Sequence, residues 1–211
     1  MKKNFVVILV LLFLMILVSG CKNILPILED DSIASGKGRL EIYLTDLSEK
    51  YKANDSVNYS AVYITISKIE AHVAGVDDGA EGYWIVLKEW TEGEEPQFDL
   101  ITLQDVSELL VDEFFEVGKY TQIRLFITEA SVLVETKSKE NKLIEVGTDG
   151  EPVEIPSAYQ TGIKLIHPFE IVEGEETILT IDFDAEKSII KTGNGNYKLK
   201  PVIKVITIPA A

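Results

Sequence analysis

The sequence predicts a mainly β protein, an antiparallel β-sandwich with one short helix near residues 103–111. Three observations predict it. Short runs of alternating apolar and polar residues recur along the chain, as half-buried strands require. Turn-forming Gly pairs punctuate those runs. A single stretch breaks the alternation with helical spacing. The 211 residues suit one domain of ordinary size, and a hydrophobic content of 46% is too high for a disordered acidic chain. With 20 Lys and Arg against 35 Asp and Glu, the formal charge is −15, which argues against a nucleic-acid partner. One Cys leaves no disulfide framework within the chain and no metal site built on several thiolates.

The first segment stands apart. Lys2 and Lys3 precede 14 consecutive apolar residues, Phe5 to Val18. That run is shorter than the roughly 20 residues a bilayer span needs, and it fits the hydrophobic region of a secretory signal peptide. Val18-Ser19-Gly20-Cys21 follows, small residues leading into the single Cys. It resembles the lipobox of prokaryotic lipoproteins, in which the thiol is acylated and the signal is cut away before it. Residues 1–20 are therefore expected to be a signal peptide, Cys21 the lipid attachment point, and 21–37 a lipidated tether rich in turn residues. Removing the signal leaves 18 basic and 35 acidic residues, a formal charge of −17. So acidic a body is repelled by anionic headgroups, so the lipid has to hold it at the membrane.

Residues 38–211 are expected to form one sandwich domain. Leu40, Ile42 and Leu44 alternate with polar neighbours and define the first strand. Val62, Ile64 and Ile66 repeat the pattern, then the apolar set shifts by one to Ile69, Ala71 and Val73, the mark of a bulge. Asp77-Asp78-Gly79 reads as a turn. Leu103, Val106, Leu109 and Leu110 fall at helical spacing, with Thr102 as N-cap and Asp105 in the first turn, which predicts the helix. Ile123, Leu125 and Ile127 form another apolar face, and Val132 with Val134 open a following strand. Thr148-Asp149-Gly150 and Glu173-Gly174 read as turns, as does Gly193-Asn194-Gly195-Asn196. Between them Leu179, Ile181 and Phe183 alternate with Thr180, Asp182 and Asp184, and Val202 to Ile208 is a β-branched final strand.

Several segments together resemble a known family. They are Gly38 to Asp46, Val62 to Glu70, Gly118 to Leu125, Pro156-Ser157 with Thr161 to Leu165, Asp182 to Ala185, and Gly193 to Pro201. The match is to the domain-of-unknown-function 4382 family of prokaryotic secreted lipoproteins. The resemblance implies an extracytoplasmic β-sandwich of transthyretin- or prealbumin-like type in the cell envelope. It carries over no catalytic residue.

The residue pattern points to a non-enzymatic protein. There is no His-Glu-x-x-His, no Gly-x-Ser-x-Gly elbow and no phosphate-cradling glycine loop. His72 and His167 are far apart in the chain and read as satisfied structural or surface residues. If one strand ran through Asp182, Asp184 and Glu186, their carboxylates would share a face and offer hard oxygen ligands to calcium. The competing expectation is a solvated acidic face neutralised by Lys187, Lys191, Lys198 or Lys200. Tyr43 and Tyr63 sit opposite the apolar faces of their strands, and Tyr83, Trp84 and Trp90 flank a turn-rich segment. Tyr43, Tyr63 and Trp84 are the candidate aromatic surface for a glycan or an envelope protein. The sequence thus favours a lipid-anchored binding or interaction module with no resident cofactor. A calcium- or carbohydrate-binding accessory domain is the alternative.

Overall fold

In the computed structural model, Leu40, Ile42 and Leu44 are fully buried along one side of the first strand, as their alternation demands. Residues 35–47, 58–75, 81–104, 106–137, 143–159 and 161–208 are described. In chain order the first strands are β1 (Lys37–Thr45), β2 (Asn58–Val73), β3 (Tyr83–Glu89), β4 (Gln97–Asp99), β5 (Glu108–Glu116) and β6 (Gly118–Lys137). Then come β7 (Leu143–Glu154), β8 (Ile163–Ile171), β9 (Glu176–Phe183), β10 (Ile189–Lys191), β11 (Tyr197–Leu199) and β12 (Ile203–Ile208). A short helix, α1 (Ala185–Ser188), links β9 to β10.

Two sheets result. The smaller has the order β12-β9-β1-β5. The larger is built on the long antiparallel pair β2 and β6. The outer side of β6 carries β8 along Gly118–Leu125 and β7 along Ser131–Lys137. The outer side of β2 carries β4 along Tyr63–Thr65 and β3 along Lys68–Val73. Leu40, Ile42 and Leu44 of β1 and Leu179, Ile181 and Phe183 of β9 join Val62, Ile64, Ile66, Ile123 and Leu125 of the larger sheet in one buried cluster. Each such side chain contributes about 1.5–3 kcal/mol relative to leaving it in water. His167 Nε2 lies 2.7 Å from Thr207 Oγ1, joining β8 of one sheet to β12 of the other.

The sandwich is not wholly antiparallel. β1 pairs with β9 in parallel, from Arg39 opposite Glu176 to Thr45 opposite Asp182, and β11 pairs in parallel with β7. Parallel pairs need a crossover connection rather than a tight turn, so local turn signals do not reveal them.

The phase shift in β2 is a bulge. Ile66 pairs with Ile127 and Lys68 with Phe126, leaving Ser67 without an opposite residue. Val132 and Val134 do not begin a new strand, because β6 runs unbroken from Gly118 to Lys137. Opposite Thr65 and Ile66 its partner residue changes from Glu129 to Ile127, and that bulge shifts the apolar phase. Thr148-Asp149-Gly150 is no hairpin turn either. β7 continues through it, with the register passing from Glu151 opposite Val132 to Val146 opposite Val134, and Gly150 at φ +79°. Glu173-Gly174 and Gly193 to Asn196 do form turns, with Gly174 at φ +75° and Gly195 at φ +91°. Asp77-Asp78-Gly79 lies outside the described residues.

The helix expected at 103–111 is absent among the described residues, and Asp105 lies outside them. A 3-10 turn covers Leu100–Leu103, capped by Asp99 rather than Thr102, and β5 begins at Glu108. The Leu103 carbonyl accepts from Asp46 N, Val106 N and Thr45 Oγ1, so helical propagation has lost its acceptor. A register break opposite Ile42 and Tyr43 leaves Leu110 unpaired, and Leu110 and Val111 are both buried. Two adjacent buried residues in a bulged strand imitate a helical stripe.

Candidate functional site

The bulge at Ser67 positions an aromatic residue at the sheet edge. It frees the Ser67 carbonyl to accept from Trp90 N at 3.0 Å, while Ile66 N donates to the Pro96 carbonyl at 3.2 Å. These two bonds clamp the loop between β3 and β4 against β2. Gly93 at φ +85° closes the loop, and its N–H donates to a Glu95 carboxylate oxygen at 2.6 Å. Below it, Asp99 Oδ1 accepts from both Val62 N and Ile101 N at 3.1 Å, fixing β4 and the following turn. Phe98, opposite Ile64, is half-buried.

Across from this loop runs β5. The space between them is a groove of about 370 Å³, lined by Trp90, Pro96 and Phe98 on one side and Glu108, Leu109 and Leu110 on the other. That volume lies in the range of small ligand pockets. Leu109 is 46% exposed although flanked by buried Leu110. Lys88 and Asp112 complete the lining, and both are engaged. Lys88 Nζ meets Glu113 at 3.0 Å, and Asp112 takes Arg39 Nε and Nη2 at 2.7 and 2.9 Å. The Arg39 hydrogen bonds hold the Asp112 carboxyl below its usual range and push the guanidinium further up. Arg39 also contacts Glu41 at 3.0 Å and Glu176 at 3.2 Å, and Tyr43 donates its hydroxyl to Glu41 at 2.7 Å, which raises the Tyr43 pKa. Glu89, Glu92, Glu94 and Glu108 form no ion pair among the described residues.

A larger hollow of about 740 Å³ lies beside the irregular β6–β7 register. Among the described residues its lining includes Thr128, Ser131, Gly150 and Pro152, with Glu129 the one charged group and no aromatic ring.

The sequence-predicted residues fall in separate places. Val18, Ser19, Gly20 and Cys21 lie outside the described residues. Tyr43 is on the smaller sheet, whereas Tyr63 and Trp84 are on different strands of the larger one. Trp84 is half-buried: Arg124 Cζ sits 3.5 Å from its ring centre, and the His72 ring packs edge-on at 5.0 Å. His72 shares a hydrogen bond with Thr121 Oγ1 at 2.8 Å, so each histidine is satisfied by a threonine.

The three carboxylates do not share a strand face. β9 ends at Phe183, Asp184 becomes the N-cap of α1, and Glu186 is carried onto the helix. Asp182 accepts from Leu47 N at 2.9 Å. Asp184 accepts from Lys187 N and pairs with the Lys187 ammonium, which raises the Lys187 pKa. Lys198 meets Glu154 instead, because β11 neighbours β7 and β10 rather than β9. Among the described residues no three His, Cys, Asp or Glu side chains are grouped to hold a metal ion.

Sequence reasoning missed Phe98, Pro96 and Leu109 as parts of one groove. Reading β5 as a helix hid Leu109, and the clamp on Trp90 depends on the bulge across the sheet.

Fold and site together define a two-sheet β-sandwich with an aromatic groove at one open side. The chain belongs to the family described as Domain of unknown function (DUF4382), whose model matches residues 37–201. β12 lies beyond the matched segment. No curated protein and no solved structure matches the chain.

Proposed function

We propose that this protein is a non-enzymatic, lipid-anchored extracytoplasmic binding module whose binding site is the groove between the β3–β4 loop and β5. The carrying observation is that groove, where Trp90, Phe98 and exposed Leu109 meet with Glu108 beside them. Apolar walls with a few placed polar groups are what ligand sites share. The anchor rests on the basic start, the apolar run and Ser19-Gly20-Cys21. The tether from 21 to 37 then keeps the sandwich within reach of the membrane, and its acidic surface holds it off anionic headgroups.

Two measurements test this reading. Radiolabelled palmitate is expected on the wild type and not on Cys21→Ser, which should leave the membrane fraction. A photo-reactive residue at position 109 in intact cells is expected to give a discrete adduct, and one at position 170 none. No adduct at 109 would end the groove reading.

A further inference from the structure

We propose, resting on the groove reading above, that the groove receives an extended cationic segment of a partner protein, its apolar side chain seated between Trp90 and Leu109. Three observations carry this. Among the described residues β5 pairs only with β1, and β3 only with β2, so the backbone flanking the groove has an unpaired edge. Such edges take an added strand through main-chain hydrogen bonds, with alternate side chains giving specificity. Second, the cations at the groove are spent, Lys88 on Glu113 and Arg39 on Asp112, Glu41 and Glu176. Those two cations face four carboxylates, and Glu108 in the lining forms no ion pair among the described residues, so the local field is negative and draws lysine or arginine. Third, Leu109 is 46% exposed and lines the same groove as Trp90, which makes an apolar seat for a side chain.

The same charges disfavour a second copy. Pairing β5 with another β5 would set Glu108, Asp112, Glu113 and Glu116 against a strand of the same sign, and like charges opposite one another destabilise a pair. A neutral glycan gains from the aromatic rings and could donate its hydroxyls to the carboxylates, but it leaves the unpaired edge unused and brings no charge to meet the negative field.

The test uses the full-length protein in non-ionic detergent and a short peptide alternating Lys with Val around a central Trp. Saturable binding that weakens with salt is expected, with none for the peptide carrying Glu in place of Lys or for one N-methylated along its pairing edge. Leu109→Ser should weaken binding about tenfold, the size of a single hot-spot residue. That side chain is exposed, so folding is not at stake. Trp90→Phe should weaken it less, and Glu170→Gln, away from the groove, should leave it unchanged. Binding that survives N-methylation or Leu109→Ser overturns the proposal. So does a neutral oligosaccharide that competes, or a groove-dependent dimer in sedimentation. A position-109 adduct in cells without peptide binding removes the cationic partner and keeps the binding module. Absence of both removes the two together.

Discussion

Arg39 grips Asp112 through two parallel contacts, Nε to Oδ1 at 2.7 Å and Nη2 to Oδ2 at 2.9 Å. The pair ties β1 to β5 on the outer face of the smaller sheet, where Glu41 and Glu176 crowd the same guanidinium. One cation holds three carboxylates.

That arrangement fixes an acid dependence. The folded Asp112 carboxyl titrates below its unfolded value of about 3.9. Its contribution is therefore present above that pH and lost as pH falls through the depressed folded value. Asp112→Asn should lower the urea midpoint at neutral pH and flatten the acid limb of midpoint against pH. A variant curve parallel to wild type would show that the pair contributes nothing.

At the alkaline end the sign reverses. Burial pushes Tyr120 and Tyr59 up to about 12, helped by nearby Tyr83 and Tyr197 respectively. Between about pH 10 and 12 the folded state keeps protons that the unfolded chain releases, so stability falls as pH rises. Tyr120→Phe removes that part of the slope. It also deletes the hydrogen bond to the Glu116 carbonyl at 2.8 Å, costing about 0.5–1.5 kcal/mol at neutral pH. Urea unfolding at neutral and alkaline pH measures both.

Arg124 lying on Trp84 predicts a measurable coupling. A double-mutant cycle with Arg124→Met and Trp84→Leu should return about 0.5–1 kcal/mol of interaction for this partly exposed pair. Additive single variants would mean the stack is geometry without energy.

Two glycines separate backbone strain from steric contact. Gly162 has φ +88° and a Cβ there would stand 3.0 Å from the Phe126 ring, while Gly174 has φ +75° and open space. Gly174→Ala should cost about 1 kcal/mol from the left-handed backbone alone. Gly162→Ala should cost distinctly more, read as a larger drop in Tm. Equal losses would show that Phe126 yields freely.

What was legible in the sequence follows from distance along the chain. Leu40-Ile42-Leu44 and Leu179-Ile181-Phe183 declare their buried faces locally, because pleat alternation needs only near neighbours. The Ser67 bulge was readable for the same reason. Leu109-Leu110-Val111 was not, since the break opposite Ile42 is imposed by the partner strand. Asp184 and Glu186 were misplaced because β9 stops at Phe183, where Asp184 caps a turn of helix. The groove needed pairing information from both sheets. Trp90 could be seen as an aromatic near a turn, but its facing Leu109 could not.

The parallel seat of β1 between β5 and β9 sets the order in which the protein can be completed. Arg39 and Glu176, neighbours in the sheet, are 137 residues apart in the chain. A nascent chain displays β1 early and then has to keep that apolar strand unmatched on one side until β9 emerges. Closing so long a loop makes folding slow, and it leaves any chain truncated before residue 176 with a sticky half-sheet. The rate of closing that sheet, rather than the finished fold's stability, is where this topology makes its demand.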